Sequence, residues 1–458
     1  MSGDVVDSDL VEGVPRRRIV LASMVGTTIE FYDFYIYATA AVTVFPHLFF
    51  PKGDSTTALL ASLATFGLAF VARPVGSVVF GHFGDRVGRK ATLVGSLLLM
   101  GIATFAIGLL PTYAQVGIVA PALLAVLRFS QGLALGGEWS GAALLATETA
   151  RPGKRGWAAM WPQLGAPFGF LLANGLFLAL IFWLGHRTAD PDLDGAFMTW
   201  GWRIPFLFSA VMVAIGLYVR LRIMETPVFT RAVERGEKVK SPLAQVFRSS
   251  WRQLIIGTFV MLATYTMFYI VTTWALSFGT GKRPPEGTGL GFGYVDFLQL
   301  QLIAVLFFAG MLPLSGWLAD RVGRRRLLLV VTAGIMAYGG LFAPMLGSGD
   351  TSYGTMLAFL IIGMTLMGFT FGPMSAVLPE LFPTNVRYTG SGISYNVASI
   401  LGAAVAPFVA TWLATQYGVG WVGLYLFVAA SLSLIAILVM REGKDTSLDS
   451  EPHDHAVR

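Results

Sequence analysis

Glu30 and Asp33 lie three residues apart in an otherwise apolar run, TTIEFYDFYIYATAAVTVF. At that spacing two carboxylates share one face of a helix. Left bare in lipid each charge costs at least ~2.5 kcal/mol, so such groups face a cavity or a partner. In a low dielectric two neighbouring carboxylates cannot both stay ionised cheaply, which suits one of them to carry a proton. The residues do not rank the two, and a static ion pair that only holds helices together stays open. Arg73 in FVARPVG and Arg128 in RFSQG are the natural partners. A guanidinium in a dry cavity can clamp a carboxylate through two parallel hydrogen bonds. Arg73 is therefore a candidate for a substrate carboxylate, with a helix-packing or gating pair as its other reading. Glu138 in GGEWSG is a structural or gating partner, or a relay for protons. Tyr37, Tyr265 and Tyr269 are candidates to line a cavity, as are Gln163 and Asn396. Lipid offers their polar groups no partner. Proline and glycine in WPQLGAPFGF (Pro162, Gly165, Pro167, Gly169) allow that helix to bend.

The elements that must position these groups follow from composition. Of 458 residues 55% are hydrophobic and only 13% charged, against roughly 25% charged in soluble domains. The chain reads as a polytopic membrane protein, with no stretch left for a sizeable soluble domain. Twelve apolar runs of spanning length are expected: 19–46, 58–80, 91–111, 117–147, 157–184, 201–222, 252–279, 293–317, 327–347, 353–379, 388–414 and 420–440. The apolar run after Arg16-Arg17-Arg18 is not a cleaved signal, because Glu30 and Asp33 interrupt it and it continues apolar beyond Ala40. Arg and Lys crowd the loops on the side of the termini, which predicts both termini in the cytoplasm.

Two elements recur half a chain apart. GHFGDRVGRK at 81–90 matches GWLADRVGRR at 316–325, so Asp85 corresponds to Asp320. ETARPGKR holds Glu148 and Arg155, and ELFPTNVR holds Glu380 and Arg387, both pairs seven residues apart. The expected organisation is an N-terminal tail 1–18, a six-helix bundle 19–222, a linker 223–251, a second bundle 252–440 and a tail 441–458. Parallel six-helix repeats build one large class of secondary transporters.

These loops, with RFSQGLALGGEW, GWRIPFLFSA and MSAVLPELFPTNVRYTGSGISYNVASILG, resemble the major facilitator superfamily and within it the metabolite:proton symporter branch. That branch includes carriers of α-ketoglutarate, citrate, shikimate and proline/glycine betaine. The resemblance implies an all-α fold of twelve helices in two pseudosymmetric bundles, working by alternating access. It implies that the EFYDF block with Glu30 and Asp33, and Arg128, serve proton coupling, to which Glu138 is added as the relay candidate named above. It implies a gate on the cytoplasmic side made by Gly81, Asp85, Arg86, Gly88, Arg89, Glu148 and Arg155 with Asp320, Arg321, Arg324, Glu380 and Arg387. Span five departs from the branch pattern, which leaves the named substrates of the branch unassigned to this chain.

The expected function is import of a small polar metabolite, a carboxylate or a zwitterion, in symport with protons. A proton-coupled exporter is the alternative. The partners expected are the substrate, protons and the lipid bilayer of a bacterial inner membrane, with no nucleic acid and a monomeric state. The chain has no cysteine, no paired histidines and no G-x-x-x-x-G-K-[ST] run. No cofactor, metal, enzymatic activity or ATP drive is expected.

Overall fold

The computed structural model describes residues 10–11, 14–51, 55–136 except 88, 138–150 except 149, 153–184, 195–222, 242–383 except 349, and 386–443. Side chains at 81–93, among others, are not described. After a two-residue ladder of Leu10–Val11 with Val14–Pro15, the chain is helical.

Twelve helices run in the order expected. The first half holds α1 (Arg16–Thr43), α2 (Ser55–Val87), α3 (Arg89–Leu109), α4 (Val119–Leu135 continued by Glu138–Glu148), α5 (Arg155–Leu184) and α6 (Phe197–Gly201 continued by Arg203–Arg222). The second holds α7 (Trp251–Thr280), α8 (Tyr294–Val322), α9 (Arg324–Gly339), α10 (Tyr353–Glu380), α11 (Arg387–Tyr417) and α12 (Val419–Val439). Among the described residues nine of these helices are long and apolar enough to cross a bilayer. The other three are α1, which carries Glu30 and Asp33, α3, whose apolar part is Val94–Leu109, and the short α9.

Packing repeats with the sequence. In the first half α1 lies on α5 and α6, α2 on α4, and α3 on α4 and α6. In the second, α7 lies on α11 and α12, α8 on α10, and α9 on α10 and α12. Adding six to each helix number of the first set gives the second. The halves meet where α2 crosses α11 and where α5 crosses α8. The structure is thus two pseudosymmetric six-helix bundles facing one another.

Small residues allow the close crossings that take the place of a hydrophobic drive inside lipid. At Gly132 a Cβ would stand 2.1 Å from the Ala69 carbonyl oxygen, so α2 and α4 touch backbone to backbone. Arg203 Nη1 donates to the carbonyls of Gly108 (2.9 Å) and Leu110 (2.7 Å), which satisfies the free C-terminal end of α3. Two helices that face the centre carry a π-helical turn, Ile270–Trp274 in α7 and Ile400–Ala404 in α11. Such turns release backbone groups from the regular ladder and often mark functional sites.

The linker expected at 223–251 contains a helix, Pro242–Ser249, directly before α7. Residues 223–241 and the tail beyond 443 lie outside the described residues.

Candidate functional site

The charges singled out in the sequence converge inside the first bundle. Asp33 is 2% exposed and Arg128 0%, burial that a charged side chain tolerates only when its polar atoms are satisfied. The two do not meet directly. Arg128 Nη1 donates to Gln131 Oε1 (2.9 Å), and Gln131 Nε2 donates to Thr104 Oγ1 (2.7 Å). Thr104 Oγ1 in turn reaches Asp33 Oδ2 (3.2 Å). Thr104 has a single proton and also lies 2.9 Å from the Met100 carbonyl of its own helix, so the path from the cation on α4 through α3 to the anion on α1 is complete when that proton turns to Asp33. Asp33 Oδ1 and Arg128 Nη2 are buried without a hydrogen-bond partner among the described residues.

Glu30 and Arg73 form a second, looser unit, with Oε1 and Nη2 4.0 Å apart. Aromatic rings shield both cations from lipid. The Phe34 ring lies between them, 4.4 Å from the Arg73 guanidinium carbon and 4.5 Å from that of Arg128. Tyr37 covers Arg128 at 4.0 Å and Phe70 covers Arg73 at 4.9 Å. A desolvated cation over a ring gains about 2 kcal/mol. That holds the guanidiniums in place without neutralising them.

Beside these units, between the bundles, lies a narrow space that holds about one water-sized molecule. Phe31 and Tyr35 of α1, Tyr265, Phe268 and Tyr269 of α7, and Tyr395 of α11 are among its walls. Tyr269 packs against Phe70 (5.4 Å) and Phe66 (5.6 Å) of α2, so the aromatic wall continues into the ring that covers Arg73. Of the residues expected to touch substrate, Tyr265 and Tyr269 line this pocket. Tyr37 faces Arg128 and donates to Thr65 Oγ1 (3.0 Å).

Gln163 and Asn396 stand elsewhere, as ties between the halves. Gln163 Nε2 donates to the Phe371 carbonyl of α10 (3.0 Å). Asn396 Nδ2 donates to Ser77 Oγ (3.0 Å) and the Gly136 carbonyl (3.1 Å). Next to Asn396, Tyr395 stacks face to face on Trp139 of α4 at 3.9 Å. Glu138, also buried, immediately precedes that tryptophan.

Residues of three of the four repeated segments come together at the end where α8 turns into α9. The Asp320 carboxylate accepts from the backbone N–H of Gly156 (2.7 Å) and Trp157 (2.8 Å), capping α5 of the opposite bundle. A carboxylate there is favoured by free N–H groups and by the helix dipole. Glu380 lies 2.9 Å from Arg324 Nε and 3.7 Å from Arg155, and Arg324 lies 3.7 Å from Asp320. Four of the expected gate residues therefore form one network across the two halves, built around the buried Arg324. Glu442, just past α12, accepts from the backbone N–H of Arg324 (3.1 Å) and Arg325 (2.9 Å) and so caps α9. Arg321 lies over Trp317 (4.1 Å) and Arg387 Nε donates to the Phe382 carbonyl (3.3 Å). Gly88 lies outside the described residues, as do the side chains of Asp85, Arg86, Arg89 and Glu148 and the surroundings of Gly81.

Sequence reasoning did not name Thr104, Gln131, Phe34 or Glu442. Gln131 carried a signal, since it stands three residues after Arg128 on one helix face. Thr104 carried none, because a threonine in an apolar helix usually bonds its own backbone.

The Major Facilitator Superfamily profile matches residues 23–400. The chain belongs to the major facilitator superfamily. It is 57% identical to the "Inner membrane metabolite transport protein YhjE" of Escherichia coli K12, over 94% of this chain and 96% of that one. It is 34% identical to the shikimate transporter of the same organism, over 93% and 95% of the two chains. It is 30% identical to the proline/betaine transporter of Salmonella typhimurium LT2, over 95% and 85%. Among solved structures, the proton:xylose symporter XylE with 6-bromo-6-deoxy-D-glucose superposes with a TM-score of 0.70 at 17% identity, covering 94% and 97%. That likeness speaks to the fold. The chain is a multi-pass membrane transporter of this superfamily, and its family and relatives are transporters rather than enzymes.

Proposed function

We propose that this protein imports a small carboxylate or zwitterion across the bacterial inner membrane in symport with protons, by alternating access. The observation that carries the reading is the buried side-chain path from Arg128 through Gln131 and Thr104 to Asp33. An ionised Asp33 draws Arg128 towards it; a protonated Asp33 leaves Arg128 on Gln131. Proton binding at Asp33 thereby changes which partner Arg128 holds, and with it how α1, α3 and α4 fit together. The Glu30–Arg73 unit sits one turn away. Its long separation suits a guanidinium that exchanges its own carboxylate for one on the substrate.

In this reading the termini are cytoplasmic, residues 223–251 link two bundles that span 19–222 and 252–440, and the protein acts as a monomer in contact with lipid. The network of Asp320, Arg324, Glu380 and Arg155 is the cytoplasmic latch. It is closed when the pocket faces outward and parts when substrate and proton leave inward. Asp85, Glu148 and Arg387 act in the same way on the other side of the pseudosymmetry axis.

The test is uptake into proteoliposomes of a panel of labelled dicarboxylates, hydroxy acids, shikimate and betaines under an inward proton gradient. Saturable accumulation that a protonophore abolishes supports symport. Efflux of dyes or drugs from loaded vesicles, with no uptake of any panel member, would favour an exporter instead.

A further inference from the structure

The helix α9 begins without a cap of its own. Gly323 precedes it with φ +98°, a left-handed backbone that favours glycine, and offers no side chain to the free N–H groups of the first turn. The cap comes from another helix instead. Glu442, just past α12, accepts from the backbone N–H of Arg324 (3.1 Å) and of Arg325 (2.9 Å). A Cβ at position 323 would stand 2.8 Å from Glu442 Oε2, so the glycine also leaves room for the carboxylate. The tie is reciprocal. Arg325 donates from Nε to the Ile437 carbonyl (3.1 Å) and from Nη2 to that of Leu438, near the end of α12.

What Glu442 holds is the start of the latch. Arg324 is the first residue of α9, and its buried side chain lies 2.9 Å from Glu380 and 3.7 Å from Asp320. Asp320 caps α5 of the opposite bundle, and Glu380 faces Arg155 there. Arg324 reaches both acids only while the first turn of α9 is formed. That turn is the part of a helix that frays when its N–H groups lack partners. The chain just after Glu442 also runs along the latch, since a Cβ at Gly443 would stand 2.6 Å from Glu380 Oε2. The charge of Glu442 repels Glu380, so its favourable contribution comes through the two backbone bonds.

We infer that Glu442 is a positioning residue of the latch: by capping α9 it holds Arg324 between Asp320 and Glu380, and so sets how strongly the state closed at that end is favoured. This deepens the transport reading above and rests on its latch. Loss of a capping side chain shifts an equilibrium about fivefold, which is the change expected in the ratio of closed to open molecules.

The chain has no cysteine, so a Thr264→Cys variant, in the wall of the space between the bundles, reports access from either side. Its rate of reaction with a small charged methanethiosulfonate is measured in membrane vesicles of both orientations. Adding Glu442→Ala should raise the rate about fivefold from the side of the termini and lower it from the opposite side. A cap that only steadied α9 would lower the melting temperature and leave the two rates in their parental proportion. Glu442→Gln keeps one acceptor and loses the repulsion of Glu380, so it should move both rates the same way by less. Arg325→Gln removes the reciprocal tie to α12 but leaves Arg324 capped, so the rates should stay parental. Gly156→Leu, which holds the latch apart from the opposite bundle, is the positive control. Rates that respond to Gly156→Leu but not to Glu442→Ala overturn the inference and leave the latch standing. A shift from Arg325→Gln equal to that from Glu442→Ala overturns it too, since any tie between α9 and α12 would then serve. If neither Gly156→Leu nor Glu442→Ala moves the rates, the latch falls and the inference with it.

Discussion

Asp33 is separated from Arg128 by two neutral side chains, and this makes the coupling proposal sharper than a direct ion pair would. Removing the carboxylate charge should abolish net proton-driven accumulation, by about a hundredfold or more, while substrate exchange between two loaded compartments persists. Measuring gradient-driven uptake and counterflow on the Asp33→Asn variant separates the two. Thr104→Val cuts the donor chain without touching a charge. Hydrogen bonds to charged groups contribute about 1.5–3 kcal/mol, so the variant should lower the rate of uptake tenfold or more and leave the fold intact by thermal melting. Unchanged uptake in Thr104→Val would show that the chain is packing only. At this scale the acids and arginines were legible because ionisable side chains are costly in lipid and so announce themselves. The uncharged connectors were not, since Gln, Thr and Phe in an apolar helix are ordinary until their neighbours are known.

At the scale of the helix, two kinds of close approach have different consequences. Gly132 lies within one bundle, against Ala69. Gly132→Leu should destabilise the first half whatever state it adopts, lowering the melting temperature and the yield of folded protein. Gly156 lies between the bundles, where a Cβ would meet the Gly316 carbonyl oxygen at 2.7 Å and Asp320 Oδ1 at 2.8 Å. Gly156→Leu should leave each bundle folded and prevent the latch from closing. Single cysteines introduced into the central pocket would then react faster from the side of the termini than in the parent chain. Equal reactivity from that side would contradict the latch. Asp320 was found in the sequence through the repeat. What it caps was not legible, because its partners are backbone groups of a helix 163 or 164 residues away. The π-helical turns in α7 and α11 were likewise invisible, since no residue type marks an extra residue in a turn.

For the whole molecule, the sequence pattern carried the architecture nearly unaided. Twelve apolar runs became twelve helices, and the duplication read from the repeated loops reappears in the packing, α1 on α5 as α7 on α11. That economy follows from the bilayer, which requires every backbone group to be satisfied within its own helix. Only the relation between bundles had to come from structure. Gln163 and Asn396 illustrate it: both are polar groups turned away from lipid, as expected, but they tie the halves together rather than line the pocket. Breaking such a tie, as in Asn396→Leu, should speed interconversion between states and raise uncoupled leak of protons, measurable with a pH dye inside vesicles.

The central claim is that substrate accumulation is driven by protons through Asp33. The most direct measurement is uptake of the labelled panel into proteoliposomes under an imposed inward proton gradient, parent chain beside Asp33→Asn, each with and without a protonophore. The account predicts that one panel member accumulates saturably in the parent chain, that the protonophore abolishes this, and that Asp33→Asn only equilibrates the same compound. Accumulation that survives both the protonophore and Asp33→Asn would contradict it.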